Sequence, residues 1–87
     1  MKYNYAKLMA KEPTVFETWT NKQGQKIDLV EHPIFGDESY IICVCHELQL
    51  AEDSTFFDTS DMTSEHREYE PSFQDGVLYI GDSPAND

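Results

Sequence analysis

Positive charge is the scarcest property of this 87-residue chain, which has six lysine and arginine residues against 17 aspartate and glutamate residues. The formal net charge at pH 7 is -11. Proteins that bind DNA or RNA directly use lysine and arginine to neutralise the phosphate groups. The composition therefore speaks against direct binding of nucleic acid.

Glycine-rich loops and long apolar runs are also missing. The four glycines are scattered and form no phosphate-binding loop of the G-x-G-x-x-G or G-K-[ST] kind. The longest apolar run, Tyr40 to Cys45, is far shorter than the ~20 residues that cross a membrane. Near the N-terminus, Tyr3 and Asn4 stand where a secretory signal would be continuously apolar. We therefore expect a cytoplasmic protein that does not contact a membrane.

Cysteine is limited to Cys43 and Cys45. In an extended strand their Cα atoms would be roughly 6.6 Å apart, near the upper limit for a disulfide. We expect two free thiols, which agrees with a reducing compartment. His46 follows directly, but alternation along a strand turns it to the opposite face, and a structural zinc site generally needs four ligands. The sequence predicts neither a metal site nor a Cys–His catalytic pair at this position.

The carboxylates after residue 50 raise the question of a calcium site. An EF-hand loop needs acidic or amide groups at alternate positions and a glycine at the sixth, and the run from Asp58 to Thr63 has neither. With 17 carboxylates some pairs will be close by chance, so the sequence selects no acid–base pair. We predict no cofactor and no enzymatic activity.

Local patterns predict a single α+β domain over residues 1–81, followed by a flexible acidic tail over residues 82–87. Asn4 is placed to cap a helix of about two turns that stops before Pro13. Two strands, at 14–20 and 26–32, are expected to form a hairpin whose turn uses Gly24.

The strand expected over residues 40–50 has the clearest pattern. One face carries Tyr40, Ile42 and Val44, and the other carries Ile41 and Cys43. Because its first half is apolar on both faces, we expect a central strand that is covered on both sides.

The second half of the chain gives weaker strand signals. A short strand is expected from Phe56 and Phe57 into 58–61, and a last strand is expected at 77–80. We expect residues 62–74 to form a loop, in which Pro71 interrupts regular structure and one helical turn follows Asp61. The predicted fold is a small antiparallel sheet of four or five strands, meander-like, with the N-terminal helix packed on one face.

Charge is sorted along the chain. Residues 1–26 have five lysines and two glutamates, a net charge of +3, whereas residues 27–87 have Arg67 and fifteen carboxylates, a net charge of -14. Carboxylates without nearby cations repel one another, and this repulsion destabilises the folded chain. A surface of spaced negative charges can dock on a basic protein groove in the way that a phosphate backbone does.

We predict that this acidic surface binds a basic protein partner, such as a nucleic-acid-binding protein. Its candidate residues are Glu47, Asp58, Asp61, Glu65, Glu68, Glu70 and Asp75. In size and charge the chain resembles the DNA-mimic inhibitors of phages and mobile elements, such as inhibitors of uracil-DNA glycosylase. The resemblance implies a non-enzymatic inhibitor and assigns no role to an individual residue.

Other interpretations remain open on the sequence alone. The acidic surface could serve solubility only. A sheet rich in aromatic residues could instead enclose a small apolar ligand, with Trp19, Tyr40, Tyr69, Phe73 and Tyr79 as the lining. A structural homodimer is a further alternative, because so small a core gains stability when a second copy buries one face or edge.

Overall fold

The computed structural model describes residues 4–44 and 58–84 of the chain. One helix, six strands and a single 3₁₀ turn make up its regular structure within these ranges. They are α1 (Tyr5–Ala10), β1 (Val15–Thr20), β2 (Lys26–His32), β3 (Gly36–Val44), the 3₁₀ turn (Thr59–Asp61), β4 (Pro71–Gln74), β5 (Val77–Ile80) and β6 (Ser83–Pro84). Within this part of the chain, no helix is long and apolar enough to span a membrane.

Helix α1 confirms the sequence prediction in both position and cap. The side chain of Asn4 accepts a hydrogen bond from the backbone N–H of Lys7 at 3.0 Å, so it serves as the N-cap. Leu8 is the buried residue of the helix. It packs against Val30 and Ile41 of the adjacent sheet. A helix of six residues is not stable alone, so this packing holds it in place.

Strands β1, β2 and β3 form the first sheet, which is antiparallel and has β2 at its centre. The predicted hairpin between β1 and β2 is confirmed, and Gly24 in its turn has a φ of 85° that other residues adopt at a cost. Among the described strands, β3, which we predicted to be central, lies at an edge of this sheet. It is nevertheless buried on both faces from Ile41 to Val44, because layers cover the sheet on both sides.

Strands β4, β5 and β6 form a second antiparallel sheet. The predicted strand at 77–80 is confirmed as β5. The prediction of one sheet with four or five strands is not matched, because residues 4–44 and 58–84 form two separate sheets of three strands. The second sheet lies against a face of the first, where Leu78 and Ile80 pack on Trp19 and Leu29. Stacking of this kind buries more apolar surface than pairing at a sheet edge would.

The core has two parts, one on each face of the first sheet. The larger part lies between the two sheets and contains Trp19, Ile27, Leu29, Ile42, Val44, Leu78 and Ile80. The smaller part lies under α1 and contains Leu8, Val30, Ile41 and Cys43. The layers are therefore helix, first sheet and second sheet, and most of the regular structure is β.

Several local predictions differ from the structure or lie outside the described residues. The helical turn expected after Asp61 lies three residues earlier, at Thr59–Asp61, so residues 58–61 do not form the expected strand. Ser83 and Pro84, within the predicted tail, pair with β5. The strand expected from Phe56 and the end of the strand expected over 40–50 fall in residues 45–57, outside the described ranges.

Candidate functional site

The candidate site is the acidic segment, defined here as residues 58–75. It contains six carboxylates and Arg67, so five net negative charges fall within 18 residues. Two side chains of the segment, Met62 and Tyr69, pack on the core between the two sheets. The acidic segment therefore lies on the face of the first sheet opposite to α1.

Hydrogen bonds fasten the acidic segment along the first sheet at several points. At its start, the backbone N–H of Asp58 donates to Oε1 of the buried Gln25 at 3.3 Å. Farther along, Thr20 and Thr63 exchange two backbone hydrogen bonds of 3.0 and 2.9 Å. These two hydrogen bonds form an isolated antiparallel β-bridge, so the segment touches the edge strand β1 at Thr63.

A second group of contacts holds the middle of the segment. The indole N–H of Trp19 donates to the backbone carbonyl of Tyr69 at 3.3 Å. The side chain of Glu17 accepts hydrogen bonds from the hydroxyl of Ser64 and from the backbone N–H of Glu68, the latter at 3.1 Å. Residues 63–69 are thereby positioned by two buried side chains of β1.

Glu17 is a buried residue of the candidate site that the sequence analysis missed. Its side chain is 2% exposed, and its Oε2 atom is buried without a hydrogen-bond partner in the described part of the chain. Burial of an unpaired carboxylate oxygen is costly, so its position is held by the contacts of Oε1. The alternation of side chains along β1 could have identified Glu17 as buried, because Glu17 and the apolar Trp19 lie two residues apart and share a face of the strand.

The structure separates the predicted site residues by exposure. Glu65, Glu68, Glu70 and Asp75 are exposed. Asp75 occupies the tight turn between β4 and β5 with a φ of 51°. These four carboxylates have no lysine or arginine nitrogen within 4 Å in the described ranges. They are the members of the predicted set that a partner can reach most directly.

The remaining predicted residues have other positions. Asp58 is half-buried and caps the 3₁₀ turn, accepting hydrogen bonds from the backbone and the hydroxyl of Ser60. Asp61 is also half-buried, and its Oδ1 atom is buried without a hydrogen-bond partner in the residues described. Glu47 lies outside the described ranges. In the structure, Asp58 therefore has a local role as the cap of the 3₁₀ turn.

The aromatic pocket considered from the sequence takes a different form. Trp19 is only 2% exposed and belongs to the core between the two sheets. Phe73 packs against this core. Trp19 and Tyr69 border a cleft of about 190 Å³, together with Arg67 and Glu70. This volume is below the ~300 Å³ at which small-molecule sites begin. The cleft favours contact with a single side chain over enclosure of a ligand.

The buried carboxylate of Asp28 on the helix side is fully engaged. It accepts hydrogen bonds from the hydroxyl of Tyr5 at 2.6 Å and of Thr18 at 2.8 Å, and the ammonium of Lys26 lies 3.7 Å away. Burial, and then the nearby charge of Asp28, raise the pKa of the Cys43 thiol to about 12. Cys43 is a free thiol that stays protonated at neutral pH, which makes it a poor nucleophile.

No group of three or more histidine, cysteine, aspartate or glutamate side chains within residues 4–44 and 58–84 is arranged to hold a metal ion. Comparison of the whole chain with protein-family models, with curated proteins and with solved structures gives no match.

Proposed function

We propose that this chain is a non-enzymatic binding module that docks the acidic segment on a basic macromolecular partner in the cytoplasm. The observation that carries the proposal is the group formed by Glu65, Glu68, Glu70 and Asp75, which are exposed and have no cation within 4 Å in the described ranges. Exposed charges of one sign on one short stretch of the chain attract a surface of the opposite sign.

The way in which the segment is fastened also supports the proposal. A flexible acidic tail would lose conformational entropy on binding, whereas residues 63–69 are already held by Thr20, Trp19 and Glu17. Positioning charges before binding reduces the entropic cost of association. We infer that the carboxylates act as a fixed pattern, as the phosphates of a nucleic acid do.

A partner that normally binds nucleic acid fits this pattern best, because its groove already carries lysine and arginine at the spacing of phosphates. The chain would then act as an inhibitor that occupies the groove. This proposal includes the origin in a phage or mobile element that the resemblance to DNA mimics implies.

A competition experiment tests the proposal. The chain is immobilised and incubated with proteins that heparin retains from a bacterial extract, in about 50 mM or about 500 mM NaCl. Captured proteins are then displaced with duplex DNA. We expect capture at the lower salt, displacement by DNA, and loss of capture at the higher salt. Capture that persists at about 500 mM NaCl, or that DNA does not compete for, would contradict a phosphate-like mode of binding.

Matched variants separate the acidic segment from net charge alone. The variant E65Q/E68Q/E70Q removes three charges from the segment, and the control E12Q/D37N/E38Q removes three exposed charges elsewhere. We expect the first variant to lose capture and the control to keep it. Equal losses in both variants would assign the effect to total charge and would refute a role for the segment.

A further inference from the structure

A small cleft lies where β1 meets the acidic segment. Its volume is about 140 Å³, and it is lined by Val15, Phe16, Glu17, Thr18, Glu65 and His66. The apolar part of the wall comes from Val15, which is 41% exposed, and from the half-buried Phe16. The acidic part comes from two carboxylates, one on β1 and one on the acidic segment. The cleft therefore combines an apolar surface with two negative charges.

Glu17 distinguishes this cleft from an ordinary group of surface carboxylates. Its side chain is 2% exposed. Its Oε1 atom accepts hydrogen bonds from Ser64 and Glu68, whereas its Oε2 atom is buried and has no hydrogen-bond partner in the residues described. Among these residues, no lysine or arginine nitrogen lies within 4 Å of the carboxylate. A buried carboxylate is normally paired or fully hydrogen-bonded, so the charge of Glu17 is incompletely compensated within the described ranges.

The buried charge makes the cleft attractive to a cation. Water screens a charge in the protein interior less than a charge at the surface, so the attraction does not require contact with the Oε2 atom of Glu17. A cleft lined by charges of one sign also concentrates their field. Glu65 is exposed and adds a second negative charge that a cation can contact directly.

We propose that this cleft receives a lysine or arginine side chain of the basic partner. The aliphatic stem of that side chain packs against Val15 and Phe16, and its cationic head lies between Glu65 and the buried charge of Glu17. The cleft is smaller than a small-molecule site, which suits the entry of one side chain. The inference rests on the proposed function, because it names the chemical group by which the partner is held.

The two kinds of wall predict a specific preference. A sodium ion is attracted by the carboxylates but has no stem that could cover the apolar surface. A neutral alcohol covers the apolar surface but gains nothing from the charges. An alkylammonium or alkylguanidinium ion uses both parts of the wall, so it should bind more tightly than either of the others.

Titration of the full chain, followed by amide chemical shifts in NMR, tests the proposal without a partner protein. The probes are n-butylammonium chloride and n-propylguanidinium chloride, which resemble the side chains of lysine and arginine. The controls are NaCl at equal ionic strength and 1-pentanol. We expect saturable shifts at the amides of Phe16, Thr18 and His66 with the organic cations, and a dissociation constant of about 1 to 50 mM. We expect no saturable shifts at these amides with the controls. The probe that binds more tightly identifies the side chain.

Three variants locate the binding in the cleft. Glu17→Gln keeps the acceptor for Ser64 and Glu68 and removes the charge, so it should weaken n-butylammonium binding about fivefold or more. Glu65→Gln changes an exposed residue and should weaken it about threefold. The control Asp75→Asn removes one exposed charge of the acidic segment outside the cleft and should bind as wild type does. Urea unfolding midpoints establish that each variant is folded.

The results that would overturn this inference differ from those that bear on the proposed function. Shifts with NaCl as large as those with n-butylammonium, or unchanged binding in both Glu17→Gln and Glu65→Gln, would overturn it. Failure of both organic cations to bind, while a partner is still captured and displaced by DNA, would overturn the inference alone. Binding of the cations without capture of any DNA-displaceable partner would support the cation site and contradict the proposed function.

Discussion

Replacing Glu17 by alanine tests the structural basis of the acidic segment. The Oε1 atom of Glu17 accepts hydrogen bonds from Ser64 and from the backbone of Glu68, and each hydrogen bond to a charged group contributes about 1.5 to 3 kcal/mol. The substitution also removes the buried and unpaired Oε2 atom, which returns about 1 to 3 kcal/mol. Taking the middle of each range, we expect a net loss of about 2.5 kcal/mol in the free energy of unfolding.

That loss is large for this chain, because 87 residues at about 0.05 to 0.15 kcal/mol each give a total stability of about 4 to 13 kcal/mol. Urea unfolding followed by circular dichroism should show a midpoint lowered by about 1 to 2 M for a slope near 1.5 kcal/mol/M. Hydrogen exchange at the amide of Glu68 should accelerate as well.

The matched control is Glu38→Ala, which truncates an exposed glutamate of β3. It should change the free energy of unfolding by less than about 0.5 kcal/mol. A Glu17→Ala midpoint equal to or above that of wild type, with unchanged exchange at Glu68, would refute the reasoning that Glu17 positions the segment.

Three further predictions concern the scaffold. Between about pH 9 and about pH 12 the Cys43 thiol ionises only in the unfolded chain, so the free energy of unfolding should fall by about 1.4 kcal/mol per pH unit. Urea unfolding between about pH 8 and about pH 10 should show a smaller fall for Cys43→Val than for wild type. Gly76→Ala should lower stability by about 1 to 2 kcal/mol in the same assay, because Gly76 has a φ of 79°, which is unfavourable for alanine. An added Cβ meets no atom within 4 Å, so this cost comes from the backbone conformation and not from a steric clash. Tyr5→Phe should cost about 1 to 3 kcal/mol in thermal unfolding, because the carboxylate of Asp28 loses a buried donor.

Elements with a local signal could be predicted from the sequence. The capping side chain of Asn4 and the turn at Gly24 depend on residues within a few positions, and both are present in the structure. The turn at Asp75-Gly76 has adjacent positive φ values that suit a two-residue hairpin, but the prediction of a loop over residues 62–74 missed the strand β4 that precedes it.

The arrangement of the strands could not be predicted in the same way. Whether β4 and β5 join the first sheet or stack on it depends on contacts between residues far apart in the chain, such as Trp19 with Ile80. Pro71 was interpreted as a breaker, although it is the first residue of β4. Proline is tolerated there because it is the first residue of β4, which is an edge strand among the described strands, where a backbone donor is dispensable.

The charges of the candidate site could be predicted from the sequence, but the contacts that hold the site in place could not. Counting charges identified Glu65, Glu68 and Glu70, which the structure places in the exposed part of the segment. The same count included Glu17 only in the net charge of residues 1–26 and did not consider the face of β1 on which Glu17 lies. The buried contacts that fix the segment depend on pairs more than 40 residues apart, and no local pattern contains them.

The most direct test of the acidic segment as a docking surface is the dissociation constant of a DNA-displaceable partner, measured by calorimetry over a range of salt concentrations. With three charges contributing about 0.2 to 1 kcal/mol each, E65Q/E68Q/E70Q should bind about tenfold more weakly than wild type at low salt and should show a shallower salt dependence. An affinity and a salt dependence equal to those of wild type in this variant would contradict the account.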